Sequence, residues 1–280
     1  MSSLVKIRAE RDQMSAIERR IADFILENAH LLRDYSSQQL ANSLGISQSS
    51  VVKFSQKLGF KGYPDLKVSV SEAVARENGN GETRAVAPRK DPHAALAQDL
   101  WRSKTLAEEE TSLINTADKI TEIARALDAA GKVFVLGGGE DGLQAGAFAV
   151  RLAQLGIPVL SHTDPVLMSS ALAIAAKNDV LVLFSEHGRQ TVLTQAARQF
   201  HERRGKVVSV TRHSPNPVRA HADLSLLVSA HDERVHIQPL LYQAVLQHLL
   251  DLVFVTLCTH EERLEHLQAN AKRTQRLLDP

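Results

Sequence analysis

Along the first 75 residues, apolar positions recur every three or four residues, the period of a helix with one buried face. Ile17, Ile21, Phe24 and Ile25 set that period for a helix over residues 14–33, opened by a capping box of Ser15 with Glu18. Leu40 and Leu44 set it again behind a second box, Ser36 with Gln39. Gly45 follows, a residue free to take the positive φ of a tight inter-helix turn. Ser47 is placed to cap a next helix with buried positions Val51, Phe54 and Leu58. Two short helices across such a turn are a helix-turn-helix, and the helix of 14–33 should complete a three-helix core behind them. Leu66, Val68, Val70 and Val74 predict one further helix after Pro64.

The period then lapses. Residues 76–93, RENGNGETRAVAPRKDPH, carry Gly, Pro, Asn and charge with few apolar anchors, the composition of a linker. Helical spacing returns through Leu96, Leu100, Leu106 and Leu113, then Ile120, Ile123 and Leu127, and stops at Gly131. Beyond it the pattern changes to short apolar runs at 132–136, 157–160, 179–184, 207–210 and 224–228, separated by helical segments such as 167–176 and 192–203. Strands alternating with helices predict a parallel, doubly wound sheet. The segment from about Val235 reads as helix, strongly apolar over 240–257, suited to cover the sheet or an oligomer interface. The expected fold class is therefore multidomain: an all-α helix-turn-helix domain over 1–77, a linker over 78–93, and an α/β domain over 94–280.

Charge sharpens the first domain. Residues 35–64 contain no Asp or Glu, although the chain holds 32 of them, and their only charges are Lys53, Lys57 and Lys61. A surface without acids suits phosphate. Facing outward would be Ser37, Gln48, Ser49, Ser50, Val52, Lys53, Gln56 and Lys57, mostly short hydrogen-bonders and bases of the kind that read base edges, with Lys61 and Lys67 touching phosphates from outside the groove. Net charge is only +1, so nucleic-acid binding must come from this local patch. The single cysteine, Cys258, excludes an intrachain disulfide and multi-cysteine zinc patterns. No apolar run approaches the length of a membrane span, Leu249–Cys258 being the longest candidate, and no signal-peptide core is visible; a cytoplasmic protein without membrane contact is expected.

In an open parallel sheet, ligands sit beyond the carboxyl ends of the strands. Loops 137–142, 185–191 and 211–216 fall there. Gly138 and Gly139 would bring backbone N–H groups to a ligand, with Glu140 beside them; Ser185, Gly188 and Thr191 would supply hydroxyls and close approach before a helix. His162, His187 and His213 each follow a strand, but their spacing fits no metal motif, and no metal, cofactor or catalytic residue is assigned.

The stretch SQQLANSLGISQSSVVKFSQKLGFKGYPDLK, including the turn at 59–62, resembles the DNA-binding segment of the RpiR family of bacterial transcription regulators. The strand, glycine turn and later Ser-x-x-Gly-x-x-Thr loop resemble that family's sugar isomerase (SIS) domain and its sugar-phosphate site. The resemblance implies a homodimer or homotetramer on a palindromic DNA operator, governed by a phosphorylated sugar or related carbohydrate metabolite. The chain departs from the family at Glu140, where a phosphate-holding serine is usual, and at 239–242, Pro-Leu-Leu-Tyr, where serines are frequent. Two enzyme readings stand as alternatives. Gly137, Gly139 and Gly142 spell G-x-G-x-x-G with Asp164 downstream, as in nicotinamide-dependent oxidoreductases. The SIS fold also serves sugar-phosphate isomerases, with Glu186, His187 and Glu233 as possible bases.

Overall fold

The computed structural model describes residues 3–29, 32, 35–82 and 91–278, with side chains of 75–82 left out. The chain divides into two compact units: residues up to Ile114 together with Ser229–Leu241, and Asn115–Val228 together with the chain from Tyr242 onward.

The first unit is helical. It comprises α1 (Ser3–Glu10), a 3-10 turn at Arg11–Gln13, α2 (Ala16–Glu27), α3 (Ser37–Leu44), α4 (Gln48–Lys57), α5 (Tyr63–Glu82) and α6 (Pro92–Ile114). Both capping boxes form: Ser15 with Glu18, and Ser36 with Gln39. Gly45 ends α3 at φ 60°, and the Ser47 side chain accepts from the Ser50 N–H to open α4. The core gathers Ile21, Ile25, Leu40, Val51, Phe54 and Leu58 as expected, and adds Leu4 and Ile7 from α1. No element was expected at α1, because SLVKIRAE alternates apolar and charged residues and offers no helical stripe.

Three apolar residues differ from their expected burial. Ile17 lies in the first turn of α2 and stays 47% exposed, while Ala22 joins the core. Val68 is 57% exposed because Leu66 and Val70, four apart, define the buried stripe of α5, and a residue two positions from each points the other way. Leu96 is 67% exposed, since α6 buries only Ala107, Glu110 and Thr111 near its end. The expected helix over 14–33 stops at Glu27, with Asn28 as its C-cap. Of the expected linker, 78–82 lie within α5 and 83–90 fall outside the described residues.

The second unit is built on one sheet, whose described strands are β1 (Val133–Gly137), β2 (Val159–His162), β3 (Val180–Phe184), β4 (Lys206–Arg212) and β5 (Leu224–Val228). All pairings are parallel, in the order β2-β1-β3-β4-β5. Helices α7 (Ala117–Asp128), α8 (Glu140–Gln154), α9 (Pro165–Leu172) and α10 (Thr191–Glu202) accompany the strands; α11 (Gln238–Leu257) and α12 (Glu261–Leu278) follow. β1 and β3 are buried along their whole length, the signature of a sheet covered on both faces. β2 begins two residues later than the apolar run suggested, because Ile157 and Pro158 belong to the approach: the Pro158 carbonyl accepts from the Val133 N–H.

α11 is long and apolar enough by length and composition to cross a membrane, at 20 residues and mean hydropathy 1.6, longer than the run the sequence marked out. Its buried residues include Leu246, Leu249, Leu250 and Val253, and 44% of its apolar window is buried inside the protein.

Candidate functional site

The exposed face of α3 and α4 is ordered by its own hydrogen bonds. Gln48 donates from Nε2 to Ser37 Oγ at 2.8 Å, tying the first outward residue of α4 to the start of α3. Ser47 Oγ lies 2.9 Å from Ser49 Oγ and 2.8 Å from Ser50 Oγ. Gln48, Ser49, Lys53, Gln56 and Lys57 are exposed, and Ser37, Ser50 and Val52 half-buried, so the structure brings these sequence-derived positions onto one edge.

The bases are not equivalent. Lys53 and Lys61 make no side-chain ion pair among the described residues. Lys57 instead reaches both carboxylate oxygens of Glu18 at 2.9 Å. Desolvation raises the Glu18 carboxyl, but the hydrogen bonds from Lys57 and Ser15 outweigh it and hold the group below its ordinary value. An acid absent from residues 35–64 therefore arrives from α2, a contact no local window of sequence reveals. Lys67 is likewise engaged, donating to the Tyr35 carbonyl at 3.2 Å.

The second cluster lies where the strand order reverses. From β1 the chain moves to β2 on one side, and β3 lies on the other, so the switch point falls between β1 and β3. The loops leaving those strands are 137–142 and 185–191, as the sequence placed them. α8 and α10 begin in these loops, capped by Gly139 and Gln190 without any side-chain hydrogen bond, which leaves backbone donors at both N-termini. Gly138 approaches the second loop so closely that a Cβ there would lie 3.1 Å from Gln190 Oε1. Gly139 takes φ 60° with open space around it.

The other glycines serve packing. Cβ atoms on Gly137 and Gly142 would come within 3 Å of the α8 backbone and of Gly137 O, respectively. Gly188, at φ 61°, leaves no room at all: a Cβ would sit 1.9 Å from Asn216 Oδ1. Asn216 holds the loop after β4 together, donating to Thr211 Oγ1 and Ser214 O and accepting from the Arg219 N–H. Gly188→Ala should therefore cost about 3 kcal/mol of stability, from forced φ and overpacking, read as a lower urea midpoint at unchanged m.

Under the loops is a charged network. Asp141 accepts from the Glu186 N–H at 3.0 Å, and desolvation raises its carboxyl. Glu186 Oε1 accepts from Arg212 Nε at 2.8 Å and Nη2 at 2.6 Å. The Arg212 side chain is 8% exposed, and its guanidinium lies 5.2 Å from the centre of the Tyr242 ring. Tyr242 is buried with no hydrogen bond to its hydroxyl; desolvation, then Asp141 and Glu186, push that hydroxyl well above its ordinary value. A signal for Arg212 was present: an arginine ending the apolar run VVSV-Thr at the ligand edge.

Of the remaining assigned residues, Ser185 is buried and Thr191 exposed in the first turn of α10. Glu140 is exposed, with Gln243 Nε2 3.5 Å from its carboxylate. Asp164, the acid of the nicotinamide alternative, is engaged elsewhere: it caps α9, accepting from the N–H groups of Val166 and Leu167. His187 is exposed, His213 buried, and Glu233 belongs to the other compact unit.

Comparison with known proteins gives the arrangement its context. Residues 1–77 match the helix-turn-helix domain of the rpiR family, and residues 126–257 match the SIS domain. The chain is 30% identical over 280 residues to the uncharacterized HTH-type transcriptional regulator YfhH of Escherichia coli K12, covering 98% of this chain and 99% of that protein. The chain belongs to the RpiR family of transcriptional regulators. Among solved structures, this RpiR-family chain is similar in fold to Vibrio vulnificus NanR complexed with ManNAc-6P, at TM-score 0.61 and 20% identity over 99% of this chain and all of that one. It is also similar to the sugar isomerase domain of an RpiR transcription factor from Sphaerobacter thermophilus, at TM-score 0.58 and 19% identity, covering 65% of this chain and 98% of that one.

Proposed function

We propose that this RpiR-family regulator binds a palindromic DNA operator through α3 and α4, as a homo-oligomer in the cytoplasm, and that a phosphorylated sugar or related metabolite at the β1–β3 switch point controls that binding. The observation that carries the DNA half is the edge of exposed Gln48, Ser49 and Lys53, ordered by the hydrogen bond from Gln48 to half-buried Ser37 and without an ion pair at Lys53 among the described residues. Recognition helices read the major groove with the residues of their first turns, where Gln and Ser choose bases and Lys holds phosphate. Lys57 and Lys61 take flanking phosphates.

The N-terminus of α10, with no side-chain cap and no acid in its first turn, favours an anionic ligand group, with Gly138, Gly139, Ser185, Gly188 and Thr191 around it. NanR, complexed with ManNAc-6P, has the same fold and supports a sugar phosphate as the class to test first. Glu140, exposed at the start of α8, accepts from a sugar hydroxyl and leaves the phosphate to the α10 N-terminus. Catalysis is not part of the proposal: of the candidate bases, Glu186 is paired with Arg212, His187 is exposed and Glu233 belongs to the other compact unit.

Footprinting of the purified full chain on the DNA flanking its own gene tests the first half. Protection of two symmetric half-sites at moderate salt is expected; equal retardation of scrambled DNA would remove the proposal.

A further inference from the structure

The two helix starts at the switch point differ in character. α10 opens with no acid in its first turn and no side-chain cap, so its backbone N–H groups suit an anion. α8 opens with Glu140 and Asp141, which answer its dipole from within the chain. Acids at a helix start are ordinary and on that ground alone call for no ligand. A second feature, on α11, does.

Tyr242 is 3% exposed, and its hydroxyl has no hydrogen-bond partner among the described residues. Burying a hydroxyl without a partner costs free energy, and the large majority of buried side-chain polar groups have one. Burial first, then Asp141 and Glu186, raise the titration of that hydroxyl, and Arg212 lowers it, so it lies in the field of this charged network. Arg212 is already held by Glu186, through Nε at 2.8 Å and Nη2 at 2.6 Å. His187 lies 3.9 Å from the same carboxylate but is exposed. Asp141 accepts from the Glu186 N–H through Oδ2, and its Oδ1 accepts no hydrogen bond among the described residues. Burial raises the Asp141 carboxyl, and Glu186 and Glu140 raise it further. Three carboxylates therefore face one guanidinium, beside a phenol oxygen without a partner.

A neutral sugar hydroxyl brings one donor and no charge to such a place. A primary ammonium brings three donors and the positive charge. We propose that the sugar phosphate acting on this protein carries a free amino group, whose ammonium donates to Asp141 Oδ1 and to the Tyr242 oxygen while the phosphate lies at the α10 N-terminus. This assignment, which rests on the sugar-phosphate control proposed above, narrows the effector to an amino-sugar phosphate. Glu140 keeps its sugar hydroxyl, and Asp141 with Tyr242 sets the specificity.

Calorimetric titration of the full chain tests it with the 6-phosphates of 2-amino-2-deoxyglucose, -mannose and -galactose, their N-acetyl forms and the parent hexose 6-phosphates. At least one amino-sugar phosphate should bind about tenfold or more tightly than both its parent and its N-acetyl form, the scale of a hydrogen bond to a charged group. Asp141→Asn keeps an oxygen for the Glu186 N–H but removes the charge, and should bring that preference within about twofold. Tyr242→Phe should reduce the preference about threefold. Because the hydroxyl has no partner inside the protein, the urea midpoint of ligand-free Tyr242→Phe should not fall. Parent phosphates that bind as tightly as the amino sugars, a preference that either variant leaves whole, or a lowered midpoint for Tyr242→Phe would each overturn the amine site and leave the sugar-phosphate reading standing. Failure of every phosphate to bind would overturn that reading, and this one with it.

Discussion

Lys53→Glu is expected to weaken operator binding about fiftyfold at low salt, with no change in thermal stability. Lys53 is exposed on the outer face of α4 and free of any ion pair among the described residues, so its charge is available to phosphate. Replacement by glutamate removes one contact and adds repulsion in the most crowded part of the interface. The milder Lys53→Ala should lower the slope of log affinity against log salt by about one, the mark of one lost phosphate contact. Lys57→Ala should cost less, about threefold, because Glu18 already compensates that ammonium at 2.9 Å. Gln48→Ala should act differently again, flattening the preference among base pairs instead of lowering all affinities together. Fluorescence anisotropy with labelled operator and single-base variants separates these cases.

Arg212→Met is expected to destabilise the second unit strongly. Removing the guanidinium leaves Glu186 without its partner and takes the cation from above the Tyr242 ring. Breaking a buried pair on one side typically costs about 3 to 5 kcal/mol, whereas neutralising both partners can cost little. Arg212→Met should therefore fall at the lower end of that range, since Glu186 is partly open to solvent, and the Arg212→Met, Glu186→Gln double variant should recover most of the loss. Urea unfolding of the singles and the double closes the cycle. Near-additive losses would mean that the two residues act separately.

These two residues also mark what the sequence makes legible. The helix-turn-helix is written locally: each cap, the Gly45 turn and the buried triplet of Val51, Phe54 and Leu58 depend on residues three or four apart. The parallel sheet was legible because β1 and β3 are continuous apolar runs ending in glycine-rich or polar loops, which placed both switch-point loops. Less was visible where partners are distant in the chain. Glu18 reaches Lys57 across 39 positions, and Arg212 reaches Glu186 across 26, so neither pair leaves a spacing to read. Gly188 was assigned to a ligand from its place in a Ser-x-x-Gly-x-x-Thr loop, while its tight approach to Asn216 shows a packing demand as well. α1 leaves no helical stripe to read because its apolar residues alternate with charge, and only the surrounding helices give them a core to enter.

In the proposed function, the β1–β3 switch point controls DNA binding at a distance. This control is tested most directly by titrating labelled operator with the full chain in the presence of a panel of sugar phosphates and, in parallel, the same sugars without phosphate. At least one phosphorylated sugar should shift the operator dissociation constant by about fivefold or more, within the usual range of allosteric coupling, while its unphosphorylated counterpart leaves it unchanged. Specific operator binding that no member of the panel alters, or that both forms of a sugar alter equally, would contradict the account.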